Sequence, residues 1–288
     1  MELRDRSAII TGASQGLGRA IALRYVRDGA SVLLLARGEE MLREVETELR
    51  ALCVSGQRVL ARKLDVSEPQ GCADAVAFAR AQLPNPCVLV NNAGIYGPIG
   101  PLEEVDLEEW VQALQVNLFG TVHMCRAFIP VVRSRRYGKI INLSGGGATQ
   151  PLPRFSAYAA AKAAVVRLTE TLAHELRDVR VDVNAIAPGA LNTRLLDQVL
   201  VAGPEKAGKD FYERSVRQRD EGGAPLEKGA DLAAFLASAA SDGITGRLIS
   251  AVWDDWQRVP QWREQLAKSD VFTLRRITPE DRGLKPCA

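Results

Sequence analysis

Residues 31–36, Ser-Val-Leu-Leu-Leu-Ala, form a nearly continuous apolar run only six residues long. A strand with one wet face would alternate, so an unbroken run this short belongs to a parallel strand buried on both faces. Similar segments recur: Ser7 to Thr11, Val59 to Leu64, Cys87 to Val90, Lys139 to Leu143, Arg180 to Ile186 and Arg247 to Val252. Stretches of helical periodicity separate them, including Met41, Leu42, Val45, Leu49 and Leu52, and a helix over Ala73 to Gln82. Alternating strands and helices predict a doubly wound parallel α/β sheet of about seven strands, with right-handed crossovers and helices on both faces.

The pattern predicts one domain over residues 1–252 and an extension over 253–288. A helix is expected over Leu107 to Val132, interrupted or ended near Pro130, and another over Phe155 to Arg177. Residues 192–229 depart from the rhythm, being rich in charge and glycine. They read as a solvated, mobile helical segment, or functionally as a lid over a substrate. The extension holds Trp253, Trp256 and Trp262, three of the four tryptophans, and is expected to pack on the body or on a neighbouring subunit.

Composition narrows the function classes. The 288 residues are 47% apolar and 25% charged, with 37 basic and 35 acidic side chains giving a formal net charge of +2. That balance supplies no field for nucleic acid or an anionic membrane. The five cysteines, Cys53, Cys72, Cys87, Cys125 and Cys287, contain no C-x-x-C pair, and with only His123 and His174 beside them they form no metal-site pattern. No metal is expected. The charged N-terminus lacks a signal-peptide core, and no apolar run reaches membrane-spanning length, so a cytoplasmic location is expected.

The first strand runs into Thr11-Gly12-Ala13-Ser14-Gln15-Gly16-Leu17-Gly18 and then a helix. Glycines let a backbone approach a pyrophosphate, and the helix start offers unpaired N–H groups to that anion. The spacing is G-x-x-x-G-x-G, unlike the usual dinucleotide fingerprint, but the physics carries over. The second strand ends Leu35-Ala36-Arg37, where an acid would read a ribose 2′-hydroxyl. Arg37 is either a solvated strand-end residue or the partner of a 2′-phosphate, and the latter points to NADP rather than NAD. Asp65, after the third strand, would lie near the adenine or serve a turn.

Tyr158 and Lys162 stand four apart on one helix, hence on one face. An ammonium beside a phenol favours the phenolate, whose unperturbed titration lies near pH ~10. Alone the pair is weak, because exposed helical Tyr/Lys pairs are ordinary. Ser144 precedes it by fourteen residues, followed by Gly145-Gly146-Gly147, a tight wall for the cleft. Arg154 and Arg194 flank that cleft and could meet an acidic substrate.

With Leu64-Asp65-Val66, Asn91-Asn92-Ala93-Gly94, Asn117, and Pro188-Gly189 followed by Thr193, the ordered motif set over about Leu3 to Val252 resembles the short-chain dehydrogenase/reductase family, in its branch of 3-oxoacyl-carrier-protein reductases. The resemblance implies a Rossmann-type sheet and hydride transfer between NADPH and a ketone or secondary alcohol. Tyr158 would be general acid or base, Ser144 would hydrogen-bond the substrate oxygen, and Lys162 would lower the Tyr158 pKa and hold the ribose. Asn117 would keep a water that links Lys162 to solvent. It also implies cofactor contacts from Gly12, Ser14, Gln15, Gly16, Leu17, Gly18, Arg37, Asp65, Val66, Ala93 and Gly94, from Tyr158 and Lys162, and, after the sixth strand, from Pro188, Gly189, Leu191 and Thr193. Asn91 would either touch the cofactor or brace the sheet. Partners would be a small molecule and further copies of the chain, in a dimer or tetramer. Many relatives close their last strand with Val-Asp-Gly-Gly, where this chain has Leu248-Ile249-Ser250-Ala251-Val252-Trp253-Asp254-Asp255-Trp256, so a dimer or an altered tetramer is expected in place of the usual one. The alternatives are a sugar or nucleotide-sugar oxidoreductase and a catalytically silent NADP-binding regulator.

Overall fold

The computed structural model describes residues 3–284; Cys287 and the last residues of the extension lie outside the described residues. Seven strands, β1 (Ser7–Thr11), β2 (Ser31–Ala36), β3 (Val59–Lys63), β4 (Pro86–Asn91), β5 (Gly138–Leu143), β6 (Val181–Ala187) and β7 (Leu248–Ser250), form one parallel sheet in the order β3-β2-β1-β4-β5-β6-β7. The order reverses between β1 and β4, and a crevice opens there beyond the carboxyl ends of the strands. Helices α1 (Gly16–Arg27), α2 (Glu39–Arg50), α3 (Pro69–Gln82), α4 (Leu107–Leu114), α5 (Gly120–Arg135), α6 (Ser156–Glu175), α7 (Arg194–Ala207), α8 (Lys209–Glu221), α9 (Leu226–Ala237) and the short α10 (Arg263–Ala267) complete the chain.

The central strands are buried throughout. Their side chains alternate between two cores, as the two-residue strand period requires. Ala8, Ile10, Leu34 and Val90 pack with α1 and α9, and Ile9, Leu33, Leu35 and Leu89 with α3, α5 and α6. Tyr25 of α1 donates to the Ala233 carbonyl of α9 at 2.9 Å, tying the first and last large helices of one layer.

The expected helix over Leu107 to Val132 differs in detail. It runs through Pro130 to Arg135, and the irregularity is a five-residue π segment, Gln115–Phe119, between α4 and α5. Proline deletes one helical hydrogen bond without ending a helix held on both sides. Among the described residues no helix is long and apolar enough to cross a membrane.

Residues 192–229 fold into α7, α8 and the start of α9. Gln218 and Asn192 exchange hydrogen bonds across the base of this segment. The extension packs on the body: Trp256 is buried against Phe235 at 5.4 Å between ring centroids, whereas Trp253 is 84% exposed. Buried Arg247, just before β7, donates to the carbonyls of Leu266, Ser269 and Val271. The Leu248 N–H donates to the Phe272 carbonyl at 2.8 Å, so the extension lies along the outer edge of β7.

Candidate active site

A cleft of about 850 Å³ spans the switch point between β1 and β4. At one end, the turn after β1 delivers Gly12, Ser14, Gln15, Gly16 and Leu17 to its wall. Gly12 has φ +65°, and a Cβ on Gly18 would lie 2.2 Å from the Gly12 carbonyl oxygen, so only glycine lets α1 start this close to the strand. Gly18 therefore builds the turn from behind and does not line the cleft. Gln15, at the N-cap of α1, makes no side-chain cap, and the first turn holds no acid. The helix start thus keeps its N–H groups and positive dipole end for a ligand. The side chain that holds the turn is Asn92, donating to the carbonyls of Thr11 and Gly12 at 2.9 and 3.1 Å.

Asn91, its neighbour, faces away from the cleft, contrary to the cofactor contact considered for it. Its Nδ2 donates to Asn142 Oδ1 at 2.9 Å and points also at Cys125 Sγ, cross-linking β4, β5 and α5. Strand parity explains this, since Asn91 shares its face with Leu89, toward α5.

Arg37 and Asp65 meet at the far rim, Nη1 to Oδ2, 4.0 Å apart. Asp65 also does the turn duty open to it: its Oδ1 accepts from the Ser67 N–H and hydroxyl. Arg37 keeps 55% of its side chain exposed and is free to take a second partner. Val66, Ala93 and Gly94 line the middle of the cleft, with Ile95 and Val116 beside them.

The opposite end carries the proton-handling groups. Ser144, Tyr158 and Lys162 are all buried and all line the cleft. Lys162 Nζ donates to the Leu143 carbonyl at 2.7 Å, joining α6 to the end of β5. Ser144 Oγ is buried with no hydrogen-bond partner among the described residues. A buried hydroxyl without a partner is costly unless a ligand supplies one.

The expected lowering of the Tyr158 pKa is not found in the polypeptide. Burial raises it, with the Tyr96 phenol adding to the effect. Burial also lowers Lys162 to about 8, so the lysine is a weakened cation, and its Nζ lies 5.5 Å from the Tyr158 ring centroid.

Asn117 sits in the π segment and does not line the cleft. Its Nδ2 donates to the Ile95 carbonyl at 2.7 Å and its Oδ1 accepts from the Ile95 N–H at 3.1 Å, bracing the loop that carries Gly94. The Thr121 hydroxyl donates to the Asn117 carbonyl at 3.0 Å.

Gly145 defines how tightly Tyr158 is seated, because a Cβ there would lie 2.1 Å from the phenol oxygen. Gly145→Ala is expected to displace the phenol and cut turnover by roughly 10²-fold, the scale of an ångström-sized misplacement. Steady-state kinetics on the folded variant tests this, and wild-type turnover would refute it.

Pro188, Leu191 and Thr193 follow β6 onto the cleft; Gly189, with φ +91°, packs against Val252 instead. Asn192, Leu195, Gln198 and Leu226, not singled out from sequence, also line it, as does Arg194. Arg154 does not. Its guanidinium donates to the carbonyls of Glu205 and Lys206 at the end of α7, which ties it to that helix end.

Comparison with known proteins decides the family. The short chain dehydrogenase family model matches residues 6–201. The chain belongs to the short-chain dehydrogenase family. This family member is an oxidoreductase acting on hydroxyl or carbonyl groups, in a family that uses nicotinamide cofactors. Among relatives of this short-chain dehydrogenase, 3beta-hydroxysteroid dehydrogenase 1 of Eggerthella lenta is 38% identical over 248 residues, 85% of this chain and 91% of that protein. A gluconate 5-dehydrogenase from Burkholderia cenocepacia J2315, solved with NADP and tartrate, is 28% identical with a TM-score of 0.75 over 86% of this chain and 94% of that one. NAD+-bound xylitol dehydrogenase, 24% identical with a TM-score of 0.78 over 87% of this chain and 98% of that one, shares the fold.

Proposed function

We propose that this dehydrogenase transfers hydride between NADPH and a ketone, or the corresponding secondary alcohol in reverse. The observation that carries the reading is the unpartnered, buried Ser144 hydroxyl at the cleft floor that also holds Tyr158 and Lys162, a place shaped for a carbonyl oxygen. The residues fit a dinucleotide: the uncapped start of α1 and Thr193 would take the pyrophosphate, Lys162 the nicotinamide ribose, and Arg37 a 2′-phosphate. When bound, the cofactor supplies the hydride.

The chain's own groups do the rest. Ser144 donates a hydrogen bond to the substrate oxygen and orients it. Tyr158 Oη, kept protonated by burial, releases its proton to that oxygen as negative charge develops there, acting as general acid in reduction and base in oxidation. Lys162, lowered by burial to about 8 and so still largely charged at neutral pH, stabilises the phenolate that remains. Asn117 would hold a water at its main-chain carbonyl, which the Thr121 hydroxyl also meets at 3.0 Å, and that water would return the proton toward Lys162.

A panel of ketones followed by NADPH absorbance tests the reading. Steroid ketones, oxidised sugar acids and 3-oxoacyl thioesters represent activities named for two of its relatives and for the branch its motifs resemble. NADPH binding without turnover on any of them would favour a silent regulator. Arg194, Gln198 and Asn192 on the cleft favour the sugar or sugar-nucleotide alternative within that panel. Arg37→Ala is expected to lower kcat/KM for NADPH by about 10- to 100-fold and leave NADH unchanged, the worth of a charge-assisted hydrogen bond. Equal effects on both cofactors would refute NADP selection.

A cytoplasmic homo-oligomer belongs to the same proposal. Leu107, Val111 and Phe119 along α4 and the π segment leave apolar surface exposed for a second copy to cover. A monomer by light scattering at micromolar concentration would overturn it.

A further inference from the structure

Tyr96 lies two residues beyond Gly94 in the loop between β4 and α4. Its ring stands edge-on to that of Tyr158, centroids 4.8 Å apart and planes at 70°. The same ring meets Phe155 at 5.1 Å and 61°, and Phe155 meets Phe211 of α8 at 4.8 Å. Four rings therefore run without a gap from the phenol of α6 to the helix that follows α7. Val199 and Ala207 of α7 and Leu152 pack into the same apolar cluster.

Tyr96 itself is set back from the cleft wall, and its ring packs on Tyr158 and Phe155. Its reach is to Tyr158. The phenol oxygen of Tyr158 stands at the end of a side chain with two rotatable bonds, and small changes in the first of them swing it away from Ser144. Edge-to-face contact opposes that swing with a defined geometry that an aliphatic neighbour does not supply. Phe155 is fully buried and directly precedes the first turn of α6, so the ring chain is anchored at the start of the helix that carries Tyr158 and Lys162.

We propose that Tyr96 is a positioning residue for proton transfer, its ring holding the Tyr158 phenol in the reactive orientation and joining it through Phe155 to Phe211 on α8. The inference rests on the reading that Tyr158 carries the proton. It adds that the orientation of Tyr158 depends on a residue outside the motif set, and that α8 senses it.

The test uses the full chain labelled with 3-fluorotyrosine, the Tyr158 signal being assigned by its loss in Tyr158→Phe. Tyr96→Ala is expected to shift or broaden the Tyr158 fluorine resonance and to lower kcat about tenfold, with the Kd for NADPH unchanged. Tyr96→Phe restores both signal and kcat, because the ring is kept. Tyr96→Leu, which retains most of the volume, reproduces the alanine result if that variant folds poorly. Phe211→Leu produces a smaller shift of the same resonance. An unmoved Tyr158 signal in Tyr96→Leu, or equal losses in Tyr96→Phe and Tyr96→Leu, overturns the proposal. NADPH affinity falling in step with kcat overturns it too, since that marks general loss of structure. Should Tyr158→Phe keep wild-type turnover, the proton-transfer reading fails, and the fluorine spectra still decide whether Tyr96 orients Tyr158.

Discussion

Tyr158→Phe is expected to lower kcat for carbonyl reduction by roughly 10²- to 10⁴-fold, the usual worth of a positioned acid. The substitution removes one oxygen and keeps the ring, so the contacts with Tyr96 and the fit beside Gly145 survive. Cofactor affinity should change little, because the ring that lines the cleft is kept and Lys162 and the turn after β1 are untouched. What is lost is a proton held in a dry place. Burial holds the phenol protonated in the resting chain, poised to donate. Steady-state kinetics with NADPH, alongside NADPH titration, separates the two effects. Turnover within a few-fold of wild type would remove Tyr158 from the chemistry.

Lys139→Ala is expected to cost about 3 kcal/mol of folding stability and about 10 °C in Tm, while the cleft chemistry stays intact. Lys139 lies at the opposite, amino-terminal end of β5 and is almost wholly buried. Its Nζ contacts Asp182 and Asp242, each at 2.7 Å, and donates to the Ser241 hydroxyl at 3.2 Å, linking β5, β6 and the turn after α9. Removing the ammonium strands a buried carboxylate. Burial already raises the Asp182 pKa against the lowering by Lys139, so without the lysine it climbs further. A carboxyl whose folded pKa stands above its unfolded value destabilises the fold only when the pH exceeds it. The deficit should therefore be larger at pH 8 than at pH 5. Denaturation midpoints at both values check the sign, and a deficit that grows on acidification would contradict the account.

Where sequence reading succeeded, the physics was local or periodic. The unbroken apolar run of β2 could only be a doubly covered strand, and the glycine turn could only be a close approach of helix to strand. Arg37 and Asp65 fell at the rim because both follow strand ends, which this sheet brings to one crevice. Long-range geometry was out of reach. In the π segment Asn117 closes on Ile95, 22 residues away, a contact that no window of helical periodicity contains. Arg154 looked like a cleft cation until α7 ended against it, since a capping role depends on where another helix stops. Asn91 was different. Counting back by twos from it reaches Leu89 and the core around α5, and that parity was present in the sequence all along.

The strap of residues 263–274 along β7 has a consequence for the molecule's fate in a crowded solution. A parallel sheet ends in a row of unpaired amides that can recruit any extended chain, and β7 is such a terminus. Here the chain answers its own edge, with Phe272 accepting from Leu248, Arg247 gathering three carbonyls, and Glu170 receiving the Leu274 N–H. A protease that clipped this strap would uncover a sticky margin while leaving the cleft itself uncut, and the first symptom would be clumping rather than slow catalysis.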